Sequence, residues 1–287
     1  MKNLILAILF LLGLQAQVHA EESVYTFDNF GRLTSCPAKF EGACPGKQEV
    51  ACPVQTPQTG VILAIGQSNA ANSGAQRMVT QYPDRVVNYF DGKCFVASSP
   101  LLGSGGPEGE FITPLADDLV ANGTYKSVII LAAAIPQTDI SRWKAGADLN
   151  GMMLQTIAGL QGRYRITDIV WHQGEGDKFL GTSSQVYVES FNSMLQSIRD
   201  AGVSAPIFIA VASFCGTSAP WIPDNPVTQA QKSLIDAKRK IYLGANTDLL
   251  LDVRDRRAQD NCHFSESGQR KTANAFAAAI KRAHTGR

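Results

Sequence analysis

The run Val61-Ile62-Leu63-Ala64-Ile65 is apolar at every position and stops at Gly66. A strand with one wet face alternates apolar and polar residues, so an unbroken apolar run suits a strand buried on both faces. Similar runs recur at Val86 to Phe90, Ser127 to Ala134, Asp168 to Trp171, Pro206 to Ala212 and Asp248 to Leu251. Between most of them the spacing predicts helices: Thr113 to Ala121, Asn150 to Leu160, Ser184 to Asp200 and Val227 to Lys240. A last helix is expected from Ser267 to His284, with basic residues in its final turn that suit the helix dipole. Strands alternating with helices imply parallel pairing through right-handed crossovers. The expected fold class is therefore α/β, a three-layer α/β/α sandwich around a central, mostly parallel sheet.

In such sheets, active residues gather beyond the carboxyl ends of the strands. Gly66-Gln67-Ser68-Asn69 follows the first run, and Ala134-Ile135-Pro136 the third. His172-Gln173-Gly174-Glu175 follows the fourth and Phe214-Cys215 the fifth, while Asp260-Asn261-Cys262-His263 stands near the end.

Composition narrows the function. The 287 residues are 45% hydrophobic and 18% charged, with 26 basic against 25 acidic residues. Disorder needs low hydrophobicity and high net charge, so it is excluded. A nucleic-acid binder working through bulk charge is disfavoured by the near cancellation. Lys2, the apolar stretch Leu4 to Leu14 and the small residues ending at Ala20 read as a secretory signal over residues 1–20. The stretch is too short to span a membrane, and no later segment is long and apolar enough. A secreted or periplasmic protein is expected, and its six cysteines then suggest disulfides rather than a zinc site, since no CxxC occurs. Residues 21–57, rich in cysteine and proline, lack the apolar mass for a core and are expected to wrap the main domain, residues 58–287.

Ser68 could open a short helix whose amides and dipole favour a developing anion, which makes it a candidate nucleophile. Taken alone it could simply be an N-cap, a place serine often takes. It lies in neither a GxSxG elbow nor a phosphate loop. Of four histidines, His19 belongs to the signal and His284 to the tail, so His172 and His263 are the candidate bases. Asp260 precedes His263 by three residues. At that spacing its carboxylate can hold one ring nitrogen and leave the other free. Gln173 can donate to an oxyanion, while Glu175 and Asp177 could support the site or ligate a metal. The Gly103-Ser104-Gly105-Gly106-Pro107 loop lets backbone amides approach a ligand.

Taken in order, GQSN, the glycine loop, WHQGEGD and DxxHFSxxG resemble the SGNH hydrolase superfamily. The closer likeness is to its sialate O-acetylesterase-like and carbohydrate esterase family 6 branch, over Val61 to about Arg282. The resemblance implies a flavodoxin-like SGNH fold. It implies Ser68 as nucleophile, His263 as general acid/base and Asp260 as orienting carboxylate. The oxyanion hole would combine the Ser68 N–H, an N–H of Gly105 or Gly106, and the Gln173 side chain. Pro107 follows the glycine pair and has no N–H, so the loop donor must be a glycine. Asn69, His172 and Glu175 would support the site. No metal and no cofactor are implied. The implied substrate is an O-acetylated glycan, cleaved through an acyl-enzyme, and a monomer is expected. Cys215 and Cys262 lie in loops expected at one sheet edge, so a Cys215–Cys262 disulfide is expected to stiffen the His263 loop.

Alternatives are an esterase or acyltransferase of the same fold acting on another ester, and a non-catalytic glycan-binding envelope protein. Trp143 and Trp221 could stack on a sugar ring, and Arg142 could meet an acidic one.

Overall fold

The computed structural model describes residues 25–35, 47–160, 162–216 and 222–286. The signal segment, Cys36, Cys44 and Trp221 lie outside the described residues. Ten strands are described, β1 Thr26–Phe27, β2 Leu33–Ser35, β3 Glu49–Val50, β4 Thr59–Gly66, β5 Val86–Phe90, β6 Lys93–Val96, β7 Ser127–Ala132, β8 Asp168–His172, β9 Ile207–Val211 and β10 Ile241–Asn246. Six α-helices accompany them, α1 Ile112–Ala121, α2 Asp148–Ala158, α3 Glu175–Leu180, α4 Ser184–Asp200, α5 Pro226–Ser233 and α6 Glu266–Thr285.

The main sheet runs in the order β10-β9-β8-β4-β7-β5-β6-β3. Pairing is parallel from β10 to β5 and antiparallel for β5–β6 and β6–β3. The apolar run of β4 divides its side chains between two cores. Val61, Leu63 and Ile65 join one with residues of α2, α4 and α5; Ile62 and Ala64 join the other with residues of α1 and α6. Helices thus cover both faces, and the expected three-layer α/β/α architecture is the one observed.

Two expectations at the last strand are corrected. Asp248–Leu251 is no strand: a 3₁₀ turn occupies Thr247–Leu249, and Leu249 and Leu251 are exposed. The strand lies earlier, as β10. Its pattern is broken by Gly244, where a Cβ would meet the Phe276 ring at 2.1 Å, and by Leu243, which faces water at the sheet edge. The helix expected to reach Lys240 ends at Ser233, because Asp236 caps a separate 3₁₀ turn through Lys238 N–H (2.9 Å).

The described residues before 58 lie against the main domain. β1 and β2 pair as a hairpin, Leu33 is buried and exchanges backbone bonds with Gly103 and Ser104, and β3 extends the sheet beside β6. Cys52–Cys94 links this stretch covalently to β6. Among the described residues, no helix is long and apolar enough to cross a membrane.

Candidate active site

β4 delivers Ser68 to the carboxyl edge of the sheet, where its neighbours β7 and β8 also end. Gly66 makes the exit turn at φ 131°, and a Cβ there would lie 2.0 Å from the His172 carbonyl oxygen. Only glycine permits that approach. Gln67 N–H donates to the same His172 oxygen (2.9 Å), and the Gln67 carbonyl accepts from Ala70 and Ala71, closing the turn around Ser68. Ser68 is buried but lines a cavity of about 560 Å³, which His263, Gln67 and Glu175 also line. Among the described residues, the backbone N–H of Ser68 has no hydrogen-bond partner.

His263 comes from the loop before α6. Its Nδ1 is 2.8 Å from Asp260 Oδ2. The other carboxylate oxygen accepts N–H bonds from Cys262 (2.8 Å) and His263 (2.9 Å). Burial alone would raise Asp260, but the hydrogen bond from the His263 ring and these two amides outweigh it and hold the carboxyl below its ordinary range. Arg257 adds a cation 3.5 Å away and also pairs with Glu108. An ionised Asp260 on Nδ1 leaves Nε2 as the free ring nitrogen of His263.

Asn69 binds three parts of the site together. Its amide donates to Glu175 Oε1 (2.9 Å) and to the Cys262 carbonyl (3.4 Å), and its oxygen accepts Phe264 N–H (3.0 Å). The expected Cys215–Cys262 disulfide is present, and both of its residues line the cavity beside His263.

The two candidate bases separate clearly. His172 is fully buried, does not line the cavity and donates or accepts through Nε2 at Thr247 Oγ1 (3.1 Å). Burial pushes its pKa down, with Glu175 opposing. It packs beneath the site between Phe111 and Phe264.

Gln173 differs from expectation. Its side-chain N–H groups are directed at Thr138 O (3.0 Å), the Asp177 carboxylate and Gln67 Oε1 (3.3 Å), and it is wholly buried away from the cavity. Burial raises Asp177 against these bonds, and Asp177 also fixes the Ile140 amide (2.8 Å). Gly105 is likewise engaged, its N–H bonding the Ala134 carbonyl (2.8 Å), whereas Gly106 N–H makes no such bond among the described residues. Neither glycine lines the cavity. Trp143 is buried with its indole N–H on Thr138 Oγ1 (3.2 Å), and Arg142 pairs with Asp148 (2.6 Å).

Sequence reading missed Arg256. It is buried, lies over the rings of Phe214 and Phe264, and donates to the carbonyls of Thr247 (2.6 Å), Cys262 (2.7 Å) and Leu250 (3.0 Å). Three carbonyls gathered on one guanidinium fix the path of the loop that carries His263. Nothing in the sequence marks Arg256, because its partners are backbone carbonyls six to nine residues away along the segment between β10 and α6. Among the described residues, no group of three or more His, Cys, Asp or Glu is placed to hold a metal ion.

Comparison with known proteins accords with this fold. Among solved structures, a protein from Arabidopsis thaliana superposes with a TM-score of 0.61 at 17% identity, covering 78% of this chain and 98% of that one. NanS gives 0.53 at 16%, covering 82% and 100%, and a carbohydrate acetylesterase from Xanthomonas citri gives 0.50 at 18%, covering 79% and 57%. At such identities the likeness shows the shared fold. Comparison with curated proteins gives no match. The family model described as carbohydrate esterase, sialic acid-specific acetylesterase matches residues 58–282, which takes in every residue of the site above. The chain therefore belongs to the carbohydrate esterase, sialic acid-specific acetylesterase family, and is a carboxylic ester hydrolase of the carbohydrate acetylesterase class.

Proposed function

We propose that the protein is an exported serine esterase that removes O-acetyl groups from a carbohydrate through a Ser68–His263–Asp260 acyl-enzyme mechanism, carried by the domain of residues 58–287. The observation that carries this reading is the His263–Asp260 pair at 2.8 Å on the cavity that Ser68 lines. Ser68 Oγ attacks the acetyl carbonyl carbon as its proton passes to His263 Nε2. The tetrahedral intermediate collapses, the sugar oxygen leaves with that proton, and Ser68 is left acetylated. Water then attacks the acetyl-enzyme with His263 again as base, releasing acetate.

Asp260 holds Nδ1–H and balances the imidazolium. The unpartnered N–H of Ser68, which lines the cavity, is the backbone donor available to the oxyanion. Gln67 adds a side-chain donor in the place expected of Gln173. Its Oε1 is turned inward by Gly176 N–H (3.1 Å) and Gly174 N–H (3.3 Å), which leaves its NH₂ for the cavity it lines. Asn69 and Glu175 keep the Ser68 turn and the His263 loop in register. The disulfides and the signal-like first twenty residues support export.

Covalent trapping tests the mechanism. Incubation with diethyl 4-nitrophenyl phosphate should add one diethyl phosphoryl group to the peptide carrying Ser68, and none to His263→Ala at the same rate. Labelling at another residue, or none on a protein that hydrolyses esters, would overturn the assignment.

A further inference from the structure

Phe179 and Leu180 close the short helix α3 and line the same cavity as Ser68 and His263, yet they are 90% and 64% exposed. Elsewhere the helix is anchored. Glu175 is bonded to Asn69, Asp177 to the Ile140 amide, and Gly181 ends the helix in the left-handed conformation. An aromatic ring is thus presented to water on a fixed support at the mouth of the site, where it gains nothing from folding. The cavity of about 560 Å³ falls in the roughly 300–1,000 Å³ range of small-molecule sites and far exceeds the needs of an acetyl group alone. A pyranose has a face of C–H groups with hydroxyls at its rim, and such a face matches an aromatic surface. Of the two tryptophans considered for stacking, Trp143 is buried and Trp221 lies outside the described residues.

We propose that Phe179, flanked by Leu180, is the stacking platform for the pyranose ring that carries the acetyl group, and so sets affinity for sugar esters over simple ones. This rests on the serine-esterase reading of the same cavity. Phe179 touches substrate without taking part in bond making.

The test measures acetate release by wild type, Phe179→Ala, Phe179→Trp and Ser68→Ala on three esters: glucose pentaacetate, O-acetylated N-acetylneuraminic acid, and ethyl acetate, which has no ring to stack. Phe179→Ala should raise KM for the sugar esters about five- to tenfold, with kcat and the ethyl acetate rate held within about twofold, and Phe179→Trp should restore KM. An unchanged KM, or an equal loss on ethyl acetate, overturns the platform. If wild type does not exceed Ser68→Ala on any ester, the serine-esterase reading has failed instead. The platform is then judged by saturation-transfer NMR of N-acetylneuraminic acid and methyl glucoside with the Ser68→Ala protein. Ring-proton transfer should disappear on adding Phe179→Ala; unchanged transfer overturns the proposal.

Discussion

At the residue scale, the site depends on which polar groups keep a free valence. Gln173 and Gln67 show the contrast: both are buried amides in catalytic-looking motifs, but Gln173 spends its N–H groups inside the protein while Gln67 has its oxygen turned inward. Sequence names the residue types but not which way a buried amide points, so it did not reveal that the Gln173 N–H groups are engaged inside the protein, whereas the three-residue spacing of Asp260 and His263 described the contact found. Replacing Asp260 by Asn should cut turnover by on the order of 10²- to 10⁴-fold, since an amide can favour the wrong ring tautomer. Acid stability follows from the same carboxylate. Its folded-state pKa lies below the unfolded value of about 3.9, so its contribution is present above that value and is lost as pH falls through the lower folded one. Asp260→Asn should therefore show a shallower fall of Tm than wild type as pH drops below about 4. A parallel fall in both proteins would contradict the assigned hydrogen bonds.

At the element scale, the long loop between β10 and α6 has only the 3₁₀ turn Thr247–Leu249 as helical structure. It is held by Arg256 on three carbonyls, by Asn69 on Cys262 and Phe264, and by the Cys215–Cys262 bond. The disulfide was legible because strand order put both cysteines at one edge; Arg256 was not, because backbone carbonyls leave no trace in sequence. Replacing both cysteines by serine should cost about 2–4 kcal/mol of stability. It should also lower kcat for ester hydrolysis more than it raises KM, because the His263 loop loosens. Calorimetry with steady-state kinetics checks both, and full activity at a lowered Tm would show that the loop holds without it. Long helices were read well from spacing, α4 to the residue, whereas α3 was missed: at six residues it has too few turns to show a period. The last strand escaped because an edge strand with Gly244 and an exposed Leu243 lacks the unbroken apolar run of β4.

At the scale of the whole molecule, the two-core sandwich was legible because burial on both sheet faces forces continuous apolar runs, and few other folds demand them. The opposite edge of the sheet, away from the chemistry, is tied by contacts that sequence had consigned to the tail. His284 near the end of α6 meets the buried Asp168 at the start of β8 (2.8 Å), and Tyr125 bonds the same carboxylate. His284→Ala should lower Tm by a few degrees, about 1–2 kcal/mol, by removing one partner from a buried carboxylate. Activity per folded molecule should be unchanged, and a selective loss of turnover would mean that this edge communicates with the site. The proposed export is tested on the whole chain: N-terminal sequencing of the secreted protein should begin at Glu21. The most direct measurement for the account is hydrolysis of 4-nitrophenyl acetate by wild type, Ser68→Ala and His263→Ala. Turnover by wild type with a loss of at least about 10³-fold in both variants is the predicted result. An equal rate in all three would contradict the Ser68–His263–Asp260 mechanism.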